Sequence, residues 1–486
     1  MSTAQGPAPR QIVVVGNGMV GARFAEEVAR LDPAGEHVHV TVVGEEDQAA
    51  YNRVLLSGVV AGSYTPDQIR LPVPDTPGVT VRTGVAATAL DTRRRRLTLD
   101  DGTGLAYDEL ILATGARAAF PPVTGVAAPD GGPGEGVTAL RDLADCRRVL
   151  SLTRPGAPVV VLGGGVLGLE AARGLVGRGM RVSVVESSPW IMRRQIDQPA
   201  ARILAARYAA LGVTVHSWRV ASRWIPGTGL ELDDGRVLPG DALVVTAGVR
   251  GNTELAKDAG IEVEHGVIVD DALTTSDARV HAIGDCAQHP GGGSGLVQPG
   301  WDQAAVLAQR LTGTAPHAVY SGSSPLTRLK AEGIELTAFG RVHDDEEEAE
   351  GLETVTVSDP HGGRYAKLVV SAERVVGAVL LGFPEAAATV SQLFDTGAPV
   401  PADRLALVQG LPVAAPETGA ETGQQALVCR CNAVTRETIE QAWLDGARTR
   451  QAIADATRAT TGCGGCVRDV NALLSGLGDT DPASVG

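Results

Sequence analysis

The chain has 486 residues, a formal net charge of −15 and 44% hydrophobic residues, enough for three or so domains with filled cores. Its acidity argues against nucleic acid as a partner, because phosphate binding relies on a basic surface. No uncharged apolar run reaches about eighteen residues and Met1 to Arg10 is a short polar lead, so the expectation is a cytoplasmic chain without membrane contact.

The apolar run Ile12-Val13-Val14-Val15 leads into Gly16-Asn17-Gly18-Met19-Val20-Gly21 and a helical pattern through Leu31. This is the strand, turn and helix of a dinucleotide fold. Gly16 permits the tight turn, Gly18 lets backbone amides approach a pyrophosphate, and Gly21 allows helix and strand to pack closely. A second strand, Val38 to Val43, ends in Gly44-Glu45-Glu46, where Glu45 is the preferred partner for an adenosine ribose. Arg93 to Arg96, between a turn-like Asp91 and the Leu97/Leu99 alternation, read as an exposed, solvated strand.

The same unit recurs. Val159 to Leu162 leads into Gly163-Gly164-Gly165-Val166-Leu167-Gly168, a helix, and the strand Arg181 to Glu186. Glu186 stands where a carboxylate holds the 2′-hydroxyl of NADH and repels the 2′-phosphate of NADPH. Arg193 and Arg194 keep NADPH possible, and the preference goes to NADH. Each unit is followed by a matching strand and turn, Tyr107 to Gly115 and Gly240 to Gly248. This internal repeat means two dinucleotide-binding domains. The first resumes near Val280 to Asp285, so the second is inserted into it. Asp285 is placed to bond a sugar-like chain such as the ribityl of FAD, with a helix cap as the alternative.

A helix begins around Gln298-Pro299-Gly300-Trp301, with Trp301 open to a packing role, and His289 reads as a loop histidine. The segments Leu336 to Phe339, Thr354 to Val357, Tyr365 to Ser371 and Val375 to Leu381 alternate as in a small antiparallel sheet, closed by a helix at Pro384 to Thr396. The acidic run Asp344 to Glu348 is a solvated turn, and Leu411 to Gln425 is a linker that lets the C-terminal segment swing.

Four of the six cysteines close the chain as Cys429-Arg-Cys431 and Cys463-Gly-Gly-Cys466. Four thiolates at one site need disulfides, zinc or an iron-sulfur cluster. The single spacer between Cys429 and Cys431 is tight for a zinc knuckle, and disulfides suit secreted chains, so [2Fe-2S] is preferred. Two short helices, Thr435 to Trp443 and Arg450 to Thr457, fit between the pairs. Gly462, Gly464 and Gly465 suit backbone amides turned toward sulfur. Cys146 and Cys286 stand alone and read as small buried hydrophobes, so no redox dithiol serves the flavin region.

These motifs resemble the pyridine nucleotide-disulfide oxidoreductase class of FAD flavoproteins. The segment Ala50-Tyr51-Asn52-Arg53-Val54-Leu55-Leu56-Ser57 resembles the flavin-contacting segment of its ferredoxin-reductase-like branch. With Tyr320 to Lys330 the likeness is closer to the reductase half of NAD(P)H-dependent nitrite reductase large subunits, and the cysteine set resembles the domain related to bacterioferritin-associated ferredoxin, BFD. The resemblance implies an α/β fold with two Rossmann-type domains, the NAD domain inserted in the FAD domain, then a small α+β domain and a small helical [2Fe-2S] domain. The implied spans are 10–125 and 249–316 for FAD, 126–248 for NAD(P)H, 317–410 for the α+β domain, 411–425 for the linker and 426–477 for the cluster. It implies cofactor contacts at Arg53, Ser57, Val85, Ala113, Thr114, Gly115, Asp285 and Gly248, beside the glycines and glutamates above, and cluster ligation by Cys429, Cys431, Cys463 and Cys466.

Two departures are visible. Where many relatives place a lysine after Leu-Ser, this chain has Gly58. Nitrite reductase large subunits continue into a sirohaem half, whereas this sequence ends at Gly486, so the expectation is an electron-transfer subunit feeding the catalytic subunit of a nitrate or nitrite reductase, or another acceptor protein. Hydride transfer from NADH to FAD needs no side-chain acid or base, so no catalytic residue is assigned. The alternatives are an NADH:ferredoxin- or rubredoxin-type reductase acting on a soluble carrier, and a non-catalytic redox sensor or iron-handling module.

Overall fold

A computed structural model describes residues 8–290, 295–324, 326–343, 351–411, 427–429, 432, 434–462 and 464–479. The linker residues 412–425, the acidic run Asp344 to Glu348, Cys431 and Cys463 lie outside the described residues. The chain divides into two compact units, Met1–Arg53, Thr65–Ala119 and Gly248–Pro325 in one, Val54–Tyr64, Phe120–Ala247 and Leu326–Gly486 in the other.

In the first unit five parallel strands lie in the order Val280–Ala282, Glu109–Leu112, Arg10–Val15, Val38–Gly44, Val79–Thr83. Strands buried on both faces read as continuous apolar runs, which is why Ile12 to Val15 show no alternation. Helices Met19–Leu31 and Val297–Thr312 supply Phe24, Val28, Leu307 and Leu311 to the core. Arg93 to Arg95 occupy the turn of the hairpin between Ala87–Asp91 and Arg96–Leu99, so only Arg96 is in a strand. The Asp91 carboxylate accepts the Arg94 amide at 2.9 Å and closes that turn, a local bond that outweighs the extended reading.

The second unit repeats the plan. Its parallel sheet runs Val213–Ser217, Arg181–Glu186, Pro158–Leu162, Ala242–Val245, Val137–Ala139. The edge strand Val137–Ala139 precedes the others in sequence, whereas its counterpart Val280–Ala282 comes last in the first unit.

Residues 326–411 of the same unit form a five-stranded antiparallel sheet, Leu326–Ala331, Ile334–Gly340, Arg374–Leu381, Arg364–Ser371, Leu352–Asp359. Helices Pro384–Thr396 and Arg404–Gln409 cover it through Ala386, Val390, Leu407 and Val408. The first of these strands and the second helix were not legible in the pattern. The cysteine domain pairs Leu427–Cys429 with Val434–Thr435 and adds helices Arg436–Leu444, Arg450–Thr457 and Val467–Asp479. Thr435 and Thr449 cap the first two, each hydroxyl accepting an amide of the first turn. No helix among the described residues is long and apolar enough to cross a membrane.

Candidate functional site

The strand Arg10–Val15 ends at Gly16, whose φ is +118°, and a Cβ there would stand 2.1 Å from the Ala113 carbonyl oxygen. A Cβ on Gly21 would stand 2.0 Å from the Gly16 carbonyl oxygen. These two glycines are required by the fold itself. Gly18 differs: nothing lies within 4 Å of its Cβ position, and it begins helix Met19–Leu31 with no side-chain cap and no acidic residue in the first turn. Amide donors and the positive end of the helix dipole thus face open space, a cradle that fits the pyrophosphate of FAD.

Around this cradle, Gly284 donates to Gln303 at 2.8 Å, and a Cβ on Gly300 would lie 3.2 Å from the Gly284 Cα and 2.6 Å from Val20. The start of helix Val297–Thr312 therefore packs on the Gly284-Asp285 turn and on helix Met19–Leu31. Trp301 locks this contact: it is buried, donates to the Met19 carbonyl at 3.1 Å and lies under Arg23, which gives it a packing role. At the end of Val38–Gly44, Glu46 accepts from Tyr51 at 2.8 Å, from Gln48 at 3.0 Å and from Arg53. Burial raises the Glu46 pKa, but Arg53 and these bonds outweigh it and hold the carboxyl below its ordinary value. Glu45 is exposed beside it. Val85 donates to the Gly44 carbonyl at 3.0 Å, so it joins the same strand end. The Ala113-Thr114-Gly115 turn is fastened by Asn252, which donates to the Thr114 carbonyl at 2.8 Å and accepts the Thr114 hydroxyl at its own carbonyl at 2.7 Å. Gly248, with φ +113°, accepts Ala119 at 3.0 Å.

The second cradle has the same construction. Gly163 has φ +119° with the Thr246 carbonyl oxygen 2.6 Å from its Cβ position, a Cβ on Gly168 would meet the Gly163 carbonyl oxygen at 2.0 Å, and Gly165 has nothing within 4 Å. Gly165 starts helix Val166–Gly177 without a side-chain cap. Glu186 accepts the Gly164 and Ser188 amides, both at 2.7 Å, which fixes a carboxylate at the rim where a ribose fits. Arg193 lies over the Trp190 ring and Arg194 is exposed.

Ser57 is buried and donates to Glu170 at 2.7 Å. Glu170, two residues beyond Gly168, also accepts the Lys330 amide at 2.9 Å and pairs with its ammonium at 3.1 Å. The motifs gave no sign of this cluster, because its members come from three segments far apart in the sequence. Cys146 donates to the Leu56 carbonyl and Cys286 to that of Leu112. Burial, reinforced by Asp145, pushes the Cys146 thiol up to about 12, and burial also raises Cys286. Neither is a thiolate near neutral pH.

Of the four C-terminal cysteines expected to ligate the cluster, Cys429 and Cys466 are described, and both are buried. The Asn432 side-chain amide donates to the Cys429 sulfur at 3.8 Å. A buried sulfur facing an N–H donor suits a thiolate ligand, as expected around an iron-sulfur cluster.

Two open helix-end cradles on twin parallel sheets, followed by an antiparallel sheet, define a flavin- and nicotinamide-binding reductase. Matching the pyridine nucleotide-disulphide oxidoreductase model over residues 10–322, the chain belongs to that family. Residues 325–397 match the rubredoxin NAD+ reductase C-terminal domain and 427–475 the BFD-like [2Fe-2S] binding domain. FAD, NADH and a [2Fe-2S] cluster are its cofactors. The chain is 33% identical over 490 residues to the assimilatory nitrate reductase electron transfer subunit of Bacillus subtilis, covering 98% of this chain and 61% of that protein. It is 34% identical over 476 residues to nitrite reductase [NAD(P)H] of the same organism, covering 96% of this chain and 57% of that one. The chain thus spans about six-tenths of the length of these relatives. A solved putidaredoxin reductase–putidaredoxin complex shares the fold, with a TM-score of 0.72 at 23% identity, over 83% of this chain and 96% of that one.

Proposed function

We propose that the chain oxidises NADH and passes the electrons through FAD and a [2Fe-2S] cluster to the catalytic subunit of a nitrate or nitrite reductase in the cytoplasm. The observation that carries this reading is the union, in one chain, of two open dinucleotide cradles at Gly18 and Gly165 with a four-cysteine domain. Held by the first cradle, FAD would supply a hydride acceptor for NADH, and a [2Fe-2S] cluster held by the cysteines would supply one-electron transfer, converting two-electron into one-electron flow. The chain's residues bind and orient. The first cradle, with Glu45, Val85, Ala113, Thr114, Gly115 and Asp285, holds FAD in residues 10–125 and 249–316, with Arg53 and Ser57 from the flavin-contacting segment. Gly163, Gly165, Gly168, Glu186 and Gly248 hold NADH in residues 126–248. Cys429, Cys431, Cys463 and Cys466 ligate the cluster. Burial of Cys146 and Cys286 as protonated thiols removes them as electron carriers.

The nitrate and nitrite relatives align over 98% and 96% of the chain, which favours this partner class over a soluble rubredoxin-type carrier. Pull-down of the native complex with metal analysis tests the partner: molybdenum or sirohaem in the co-purifying protein supports it. Capture of a small soluble redox carrier alone would overturn it in favour of the carrier-reductase reading.

A further inference from the structure

Strand Leu326–Ala331 alternates its side chains, so Arg328 and Lys330 share a face. Lys330 engages Glu170, whereas the Arg328 guanidinium donates to the Gly465 carbonyl at 2.5 Å. Gly465 lies in the turn between Cys463 and Cys466. The fit is close: a Cβ on Gly465 would stand 2.8 Å from the Arg328 Cδ. Gly464, at φ +74°, turns its Cβ position to 3.6 Å from the Leu55 side chain. Leu55 belongs to the segment 50–57 that resembles a flavin-contacting segment. At the edge of this contact Arg468 pairs with Glu335 at 3.0 Å and with Glu385 at 3.5 Å.

We propose that Arg328 is a positioning residue for electron transfer: it docks the Gly464–Cys466 turn on Leu55, makes that turn the entry point for electrons, and tunes the cluster with its charge. The inference rests on the function proposed above. A cluster held by four thiolates is anionic and becomes more so on reduction, so a fixed guanidinium bonded into its ligand turn favours the reduced form. Each NADH oxidised yields NAD+, one proton and two electrons; the two electrons enter the four-cysteine domain one at a time, the first passing on to the acceptor subunit before the second arrives, so the step balances. Leu55 has no polar group to compete for the turn, so the charged bond from Arg328 and the outer Arg468 pairs set its orientation.

The test is anaerobic mixing of the loaded full-length protein with NADH, following flavin bleaching optically and cluster reduction by freeze-quench electron paramagnetic resonance. In Arg328→Ala, iron content and flavin bleaching match the parent. Loss of one charge-assisted bond lowers the docked population about tenfold, and cluster reduction slows to match. The cluster midpoint potential moves negative, and Arg328→Lys recovers part of both effects. Should Arg328→Ala lose its cluster, Arg468→Glu carries the test: it slows cluster reduction, and adding Glu335→Arg restores it in part. Unchanged cluster reduction and potential in Arg328→Ala, or unchanged reduction in Arg468→Glu where the first variant is empty, overturns the proposal. A parent protein whose cluster NADH never reduces would instead overturn the function on which it rests.

Discussion

Glu170 accepts two donors from one residue, the backbone amide of Lys330 at 2.9 Å and its ammonium at 3.1 Å. With Ser57 bonded to the other carboxylate oxygen, three distant segments of the second unit meet at a side chain that is 2% exposed. Removing the cation strands that carboxylate. Lys330→Met is expected to cost about 3 kcal/mol, because breaking one side of a buried pair leaves an uncompensated charge. The double variant Lys330→Met/Glu170→Gln should recover most of the loss. Denaturant unfolding of the three proteins checks both expectations.

The glycines of each cradle separate by role. Gly16 and Gly163 have φ of +118° and +119° with backbone pressed against them, so alanine there damages the fold. Gly18 and Gly165 have φ of −88° and −77° and open space around them, so a side chain is tolerated until a ligand arrives. Gly18→Asp is expected to fold yet purify with little FAD, since its carboxylate takes the helix end and repels the pyrophosphate. Gly165→Asp keeps FAD and raises the KM for NADH. Circular dichroism, flavin content and steady-state kinetics distinguish these outcomes.

Glu186 fixes nucleotide preference if its carboxylate meets the ribose. Glu186→Ala should lower kcat/KM for NADH about tenfold or more, as expected for one charge-assisted hydrogen bond. Activity with NADPH should hold or rise as repulsion of the 2′-phosphate disappears. Equal loss with both nucleotides would place Glu186 in the turn's structure alone.

Glu109 is a pH-sensitive point in the first unit. Burial raises its pKa, but bonds from His281 at 3.4 Å and Arg279 at 2.7 Å outweigh it, and the net shift is below the ordinary 4.5. A carboxyl depressed in the folded state contributes stability fully above its unfolded value and loses it as pH falls through the folded value. The melting temperature should therefore drop on acidification below 4.5, and Glu109→Gln should be less stable near neutrality with a shallower acid dependence.

Both nucleotide units were legible because their signals are local: a buried parallel strand is a continuous apolar run, and Gly16, Gly18 and Gly21 follow it without interruption. The two predicted helices of the cysteine domain, capped by Thr435 and Thr449, were legible for the same reason. What the pattern hid is non-local. Strand Leu326–Ala331 carries Arg328 and Lys330 on its partly buried face, so its alternation looks polar until Gly465 and Glu170 are seen opposite. Helix Val467–Asp479 packs on helix Arg450–Thr457, with Val470 and Ile453 both buried, and follows the second cysteine pair where the pattern placed no element. Glu170 read as an ordinary helical glutamate because its cation lies 160 residues away.

Cluster ligation by Cys463 has its own check: Cys463→Ser should lose the visible absorption of the cluster and keep NADH-driven reduction of FAD. Persistence of the cluster spectrum would refute the ligand assignment.

The most direct test of the central claim is an anaerobic titration of the purified, cofactor-loaded protein with NADH, recorded optically and by electron paramagnetic resonance. The account predicts that the flavin bleaches and the signal of a reduced [2Fe-2S] cluster then grows within the same chain. A flavin that bleaches fully while the cluster stays oxidised at excess NADH would contradict it.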